Sequence, residues 1–195
     1  MYSFLARILY IILVKLFKKV KVKGLEHIPK NGGYIVTCNH TSMVEIIILA
    51  MALYPIEVHY MAKQELFKNK FLNQFFKSVN AFPVNRENPG PSSLKTPIKL
   101  LKQDQVVGIF PSGSRTEGAP LKKGAATMAY LAKSTILPAK YEGPTRFRDI
   151  FKKQGDCYII FGEIIDTTKI EGHNKSEIID NITAVLEQTT HQLQK

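Results

Sequence analysis

Residues 32–55 read GGYIVTCNHTSMVEIIILAMALYP, and this stretch decides the fold. GGYIVTCN is short, rich in β-branched residues and bounded by glycine, which predicts a buried strand. MVEIIILAMALY is mostly apolar and ended by Pro55, which predicts a buried helix. The pattern repeats outward along the chain. EVHYMAK, VVGIF, TILPAKYE and CYIIFGEII read as further strands. LFKNKFLNQFFKSV, LKTPIKLLKQ (with Pro97 near its first turn), KKGAATMAYLAKS and the closing KSEIIDNITAVLEQTTHQLQ read as helices. AFPVNRENPGPSS, at 81–93, is dense in turn formers and predicts a loop. Strands alternating with helices predict an α/β fold, a single domain with a mixed, mostly parallel sheet flanked by helices. No internal repeat or linker interrupts it.

Between the first strand and helix lies NHTSMVE, residues 39–45. One reading is local. Ser42 and Glu45 form S-x-x-E, a capping box in which Ser42 caps the helix and Glu45 reaches back to the Ser42 amide. That reading leaves Asn39 and His40 unexplained at the carboxyl end of a strand, where sites in α/β sheets gather. The other reading is chemical. A carboxylate folded over the first turn points toward His40, fixes its tautomer and leaves the second ring nitrogen to take a proton. The two are compatible, and this stretch alone leaves both open. Cys38, two residues before His40, shares its strand face and is a rival nucleophile, although a small buried cysteine is the more common case. No metal set forms, because His40, Glu45 and Cys38 lack a second nearby histidine.

VVGIFPSGSRTEGAPLKKGA, from Val106, runs strand, polar glycine loop, helix. Gly113 permits close backbone approach to a ligand, Ser112 and Ser114 offer hydroxyl donors, and Arg115 offers a planar fork suited to phosphate. Lys122 and Lys123 open the next helix, whose N-terminus favours an anion. Arg86, in AFPVNR, is a further cation for the same site. The same residues also suit an ordinary surface turn with a solvated arginine. The loop lacks the G-K-[ST] ending of a phosphate-binding P-loop and the G-x-S-x-G of a nucleophile elbow.

The chain has 195 residues and a formal charge of +11. That charge points to anionic partners. Two cysteines far apart, Cys38 and Cys157, form no disulfide framework and fit a reducing, cytoplasmic setting. Arg7, Lys15, Lys18, Lys19, Lys21 and Lys23 all precede Glu26, the first acid. They lie in or directly after the apolar MYSFLARILYIILVKLFKK. Only seven uncharged residues separate Arg7 from Lys15, whereas a span of the bilayer needs about 20 mostly apolar residues. No small-residue cleavage site follows, so a signal peptide is not expected. An apolar helix ending in lysines predicts a segment lying in the headgroup layer of an anionic membrane. The alternative is a helix buried against the domain. No zinc finger, RNA-recognition or helix-turn-helix pattern accompanies the charge, so nucleic acid is not the expected partner.

Four blocks, in this order, carry a resemblance: NHTSMVE, AFPVNR, FPSGSRT and ILPAKYEG. They resemble the N-H-x-x-x-x-D, arginine-bearing, F-P-E-G-T-R-S and proline-bearing blocks of the glycerolipid acyltransferase superfamily, in its 1-acyl-glycerol-3-phosphate acyltransferase branch. The likeness extends from about residue 20 to about residue 165. It implies acylation of the free sn-2 hydroxyl of lysophosphatidate from acyl-CoA or acyl carrier protein, with no cofactor. It implies His40 as general base, Glu45 as its orienter, and Arg86, Ser112, Gly113, Ser114 and Arg115 about the acceptor phosphate. It also implies a membrane-associating helical segment over 1–23, an acyltransferase domain over 24–195, and residence at the cytoplasmic face of the cell membrane, peripheral or monotopic. Two departures stand out. Glu45 replaces the family aspartate with an acid one methylene longer, and Ser112 replaces the family glutamate. The first of these supports an alternative, a catalytically impaired lipid-binding protein of the same fold.

Overall fold

The computed structural model describes residues 1–85, 92–112, 121–152 and 155–194. Seven strands form one sheet: β1 (Val20–Lys23), β2 (Ile35–Thr37), β3 (Val58–Lys63), β4 (Ala81–Val84), β5 (Val106–Ile109), β6 (Ile136–Glu142) and β7 (Cys157–Phe161). Their order is β1-β7-β6-β2-β5-β3-β4. β2 to β6 run in one direction. β7 turns back against β6, and β1 pairs with β7 in parallel. The expected mixed, mostly parallel sheet is therefore present. β2 is buried at every residue, as a strand covered on both faces must be.

Alternation along the strands divides the core in two. Val36 and Cys38 pack with Val44, Ile48 and Leu49 of α2 (Val44–Ala52) and with Tyr2, Ala6 and Leu13 of the N-terminal helix. Ile35 and Val107 face the opposite way. They meet Ala125, Met128 and Ala129 of α5 (Gly124–Ala132) and Ile182 and Leu186 of α6 (Lys175–Gln192).

Four expectations are corrected. The N-terminal helix is α1 (Tyr2–Leu9), continuing as a wider helix over Tyr10–Leu16. Helix thus ends near residue 16, and Val20–Lys23 are an edge strand inside the sheet rather than part of a helical segment. The alternation in KVKVK is the reason: Val20 is buried and Lys21 exposed, a pattern with period two. Second, 81–84 are strand β4 rather than loop. Pro83 lacks an amide donor but sits on the opposite edge of the sheet, where none is needed on the open side. Third, α4 (Ser92–Leu101) begins earlier than expected, so Pro97 lies inside it. Fourth, α5 starts after Lys123, which instead forms an ion pair with Asp180 of α6. α3 (Lys70–Ser78) occupies the helix expected around LFKNKFLNQFFKSV.

Candidate active site

The site sits where β2, β5 and β6 end. β2 delivers Asn39 and His40 as the chain leaves the sheet for α2. His40 is 8% exposed and Glu45 is fully buried. Nδ1 of His40 donates to Oε1 of Glu45 at 2.7 Å. The same carboxylate accepts from the Thr41 amide at 3.0 Å, from the Ser42 amide at 2.8 and 3.0 Å, and from the Ser42 hydroxyl at 2.5 Å. The Ser42 hydroxyl in turn accepts from the Val44 amide at 2.9 Å. Glu45 thus makes the reciprocal bonds of a capping box and also holds His40. The box lies one residue further out than expected, since Met43 is the residue at the helix boundary. The extra methylene of glutamate does not keep the acid from the imidazole.

Burial alone drives the Glu45 pKa upward, but the hydrogen bonds from His40 and Ser42 outweigh it and hold the carboxyl below its ordinary value. An ionised acid there fixes the His40 proton on Nδ1. The bond to Glu45 occupies Nδ1, and a ring held this way can accept a proton on Nε2. Cys38 behaves differently. Burial pushes its thiol far above the ordinary range, and Sγ donates to Oδ1 of Asn39 at 3.4 Å. A thiolate is strongly disfavoured there, which removes the case for Cys38 as the nucleophile.

Two residues that the sequence reading left without a role hold the dyad. Asn39 Nδ2 donates to the Tyr141 carbonyl at 3.0 Å, and its Oδ1 accepts from the Tyr141 amide at 2.7 Å. The side chain continues the pairing of β2 with β6 past the end of β2. Phe110 lies against His40, with ring centroids 4.7 Å apart, and stacks on Tyr60 at 6.2 Å. Tyr60 needs the bare backbone of Gly108, where an added Cβ comes within 2.5 Å of the ring. The signal for Phe110 was its place at the carboxyl end of a strand, immediately before a polar loop.

Ser112 lines a cavity of about 50 Å³ together with Thr37, Cys38, Asn39 and Ala139. The two ends of its loop meet where the Lys122 amide donates to the Pro111 carbonyl at 2.9 Å. Arg86, Gly113, Ser114 and Arg115 lie outside the described residues. No group of three or more potential metal ligands occurs among the described residues.

A family model described as Acyltransferase matches residues 19–142. The match takes in the dyad and all the strand ends around it. The chain belongs to the acyltransferase family. A 1-acyl-sn-glycerol-3-phosphate acyltransferase of Bacillus subtilis is 45% identical over 195 residues, covering 100% of this chain and 97% of the relative. One from Streptococcus pneumoniae is 32% identical over 179 residues, covering 91% of this chain and 67% of that one. The crystal structure of the 1-acyl-sn-glycerophosphate (LPA) acyltransferase PlsC from Thermotoga maritima superposes with a TM-score of 0.69. It covers 99% of this acyltransferase and 78% of the other chain at 21% identity. At that identity the superposition speaks for the fold alone. No helix among the described residues of this acyltransferase is long and apolar enough to cross a membrane.

Proposed function

We propose that this acyltransferase transfers a fatty acyl chain to the free sn-2 hydroxyl of lysophosphatidate, making phosphatidate. The observation that carries the reading is the His40–Glu45 bond of 2.7 Å at the carboxyl end of β2, in a chain with a full-length relative of that name. The donor is a thioester, acyl-CoA or acyl carrier protein. His40 Nε2 takes the proton from the lysophosphatidate hydroxyl as its oxygen attacks the thioester carbonyl. Glu45 stabilises the imidazolium that results. The tetrahedral intermediate collapses with cleavage of the carbon–sulfur bond, and the departing sulfur takes the proton from His40. Arg86 and Arg115, with Ser112, Gly113 and Ser114, hold the acceptor phosphate, a role that suits the planar fork of a guanidinium.

The protein works at the cytoplasmic face of the membrane, bound to its surface through the N-terminal helix. One stripe of that helix packs on the core, and the other exposes Phe4, Ile8 and Ile11 at helical spacing. The test of the chemistry is turnover of lysophosphatidate with an acyl thioester. His40→Ala is expected to fold normally and to lose about 10²–10⁴-fold in kcat. A folded His40→Ala protein that keeps the parent's rate would overturn the mechanism.

A further inference from the structure

α3 is a helix with no buried residue. Asn69 caps it, accepting from the Phe71 and Leu72 amides at 2.9 and 3.2 Å, so the helix is held in shape at its start. Phe76 turns inward against Phe67, with centroids 5.6 Å apart. The outer face carries Phe71, 80% exposed, with Leu72 and Phe75 at 40% and 43%. Lys68, just before the helix, and Lys70 and Lys77 within it are exposed. No acid occurs between Glu65 and Glu87. Exposed aromatic rings on one side of a helix whose charged residues are all lysines match a layer that is anionic outside and apolar beneath.

α3 is also tied to the N-terminal helix. The Glu57 carboxylate accepts from the Ser3 hydroxyl and, at 2.8 Å, from Asn80 Nδ2 just past the end of α3. The Ser78 hydroxyl lies 3.9 Å from Sδ of Met1. The C-terminal end of α3 therefore lies beside the start of the N-terminal helix.

We propose that α3 is a second membrane-docking element, inserting Phe71 and Phe75 into the headgroup layer of an anionic bilayer beside the N-terminal helix. The proposal rests on the membrane reading above. Two elements joined through Glu57 set the orientation of the domain on the surface, which one helix alone leaves free to swivel. An acidic carrier protein is the other conceivable occupant of a basic face. The outward aromatic rings, and the closeness of the end of α3 to the start of the N-terminal helix, favour lipid.

The test uses the full chain and vesicles of phosphatidylglycerol and phosphatidylethanolamine in equal parts. Phe71→Ser combined with Phe75→Ser is expected to keep the parent's unfolding temperature and to partition onto vesicles roughly tenfold more weakly. Phe4→Ser combined with Ile8→Ser is the comparator. If the comparator is released and the α3 variant binds like the parent, α3 has no docking role and the membrane reading survives. If both bind like the parent, the membrane reading fails and this inference fails with it. An α3 variant that binds vesicles normally but needs more acyl carrier protein for half-maximal rate would reassign the face to the carrier and overturn the proposal. Should the double variant fail to fold, Phe71→Trp replaces it as the probe, because the chain contains no tryptophan. Its emission is expected to shift to the blue on adding vesicles, and unchanged emission overturns the insertion.

Discussion

Glu45 holds its oxygens against donors from three consecutive residues, His40, Thr41 and Ser42. One carboxylate thus fixes a helix start and an imidazole together. Glu45→Gln separates these duties, because glutamine still accepts from the Ser42 amide but carries no charge to support a protonated ring. It is expected to cut kcat by about two orders of magnitude, while circular dichroism shows the fold unchanged. Glu45→Asp withdraws the carboxylate by one methylene from a set of contacts that glutamate already completes, and lowers kcat as well, by roughly tenfold. A pH series checks the electrostatics. A carboxyl held below its ordinary 4.5 in the folded state contributes stability that is fully present above that ordinary value. The contribution is lost as pH falls through the lower, folded-state value. The difference in unfolding free energy between the parent and Glu45→Gln should therefore be largest near neutral pH and shrink in strong acid. A difference that grows on acidification would contradict the assignment.

At the scale of elements, the dyad depends on how β2 is fastened to its neighbours. β2 is only three residues long, and its register with β6 ends at Thr37 opposite Pro138, which has no amide to donate. Asn39 restores the connection by pairing with both backbone groups of Tyr141. Asn39→Ala leaves those groups unpaired and is expected to cost about 1–3 kcal/mol of stability, measured by chemical denaturation. Because His40 is the next residue, kcat should fall too, while the apparent affinity for the thioester changes little. A variant as stable and as active as the parent would show that the ladder holds without the side chain. The wall formed by Gly108, Tyr60 and Phe110 works in the same way, since each ring is placed by the one beneath it.

At the scale of the whole molecule, the N-terminal helix is core and surface at once. Leu13 is fully buried, whereas Phe4 is 67% exposed. Leu13→Ala should cost about 2–5 kcal/mol in unfolding free energy. Phe4→Ser should stay within about 0.5 kcal/mol of the parent. Equal losses from the two would mean that the stripes are not divided in this way. Lys19 and Lys21 reach Asp156 at 3.4 and 2.7 Å, so two of the six early cations counted in the sequence are already engaged within the protein. The alternation of apolar runs with turn residues was enough to predict the α/β class, the strand–helix unit around His40 and the mixed sheet, because burial on two faces imposes its own composition on strands. The capping pattern at Ser42 and Glu45 was legible for the same reason, since its partners lie three residues apart. Other features needed the tertiary structure. β4 looked like a loop because Pro83 is tolerable only on an edge, and sheet order is not a local property. The end of the N-terminal helix was blurred because Val20 and Val22 find their partner β7 far along the chain. The bond between Asn39 and Tyr141, the ring over His40 and the junction of α3 with the N-terminus each join residues distant in sequence. Local periodicity cannot encode such meetings, because they exist only once the sheet has brought its strand ends together.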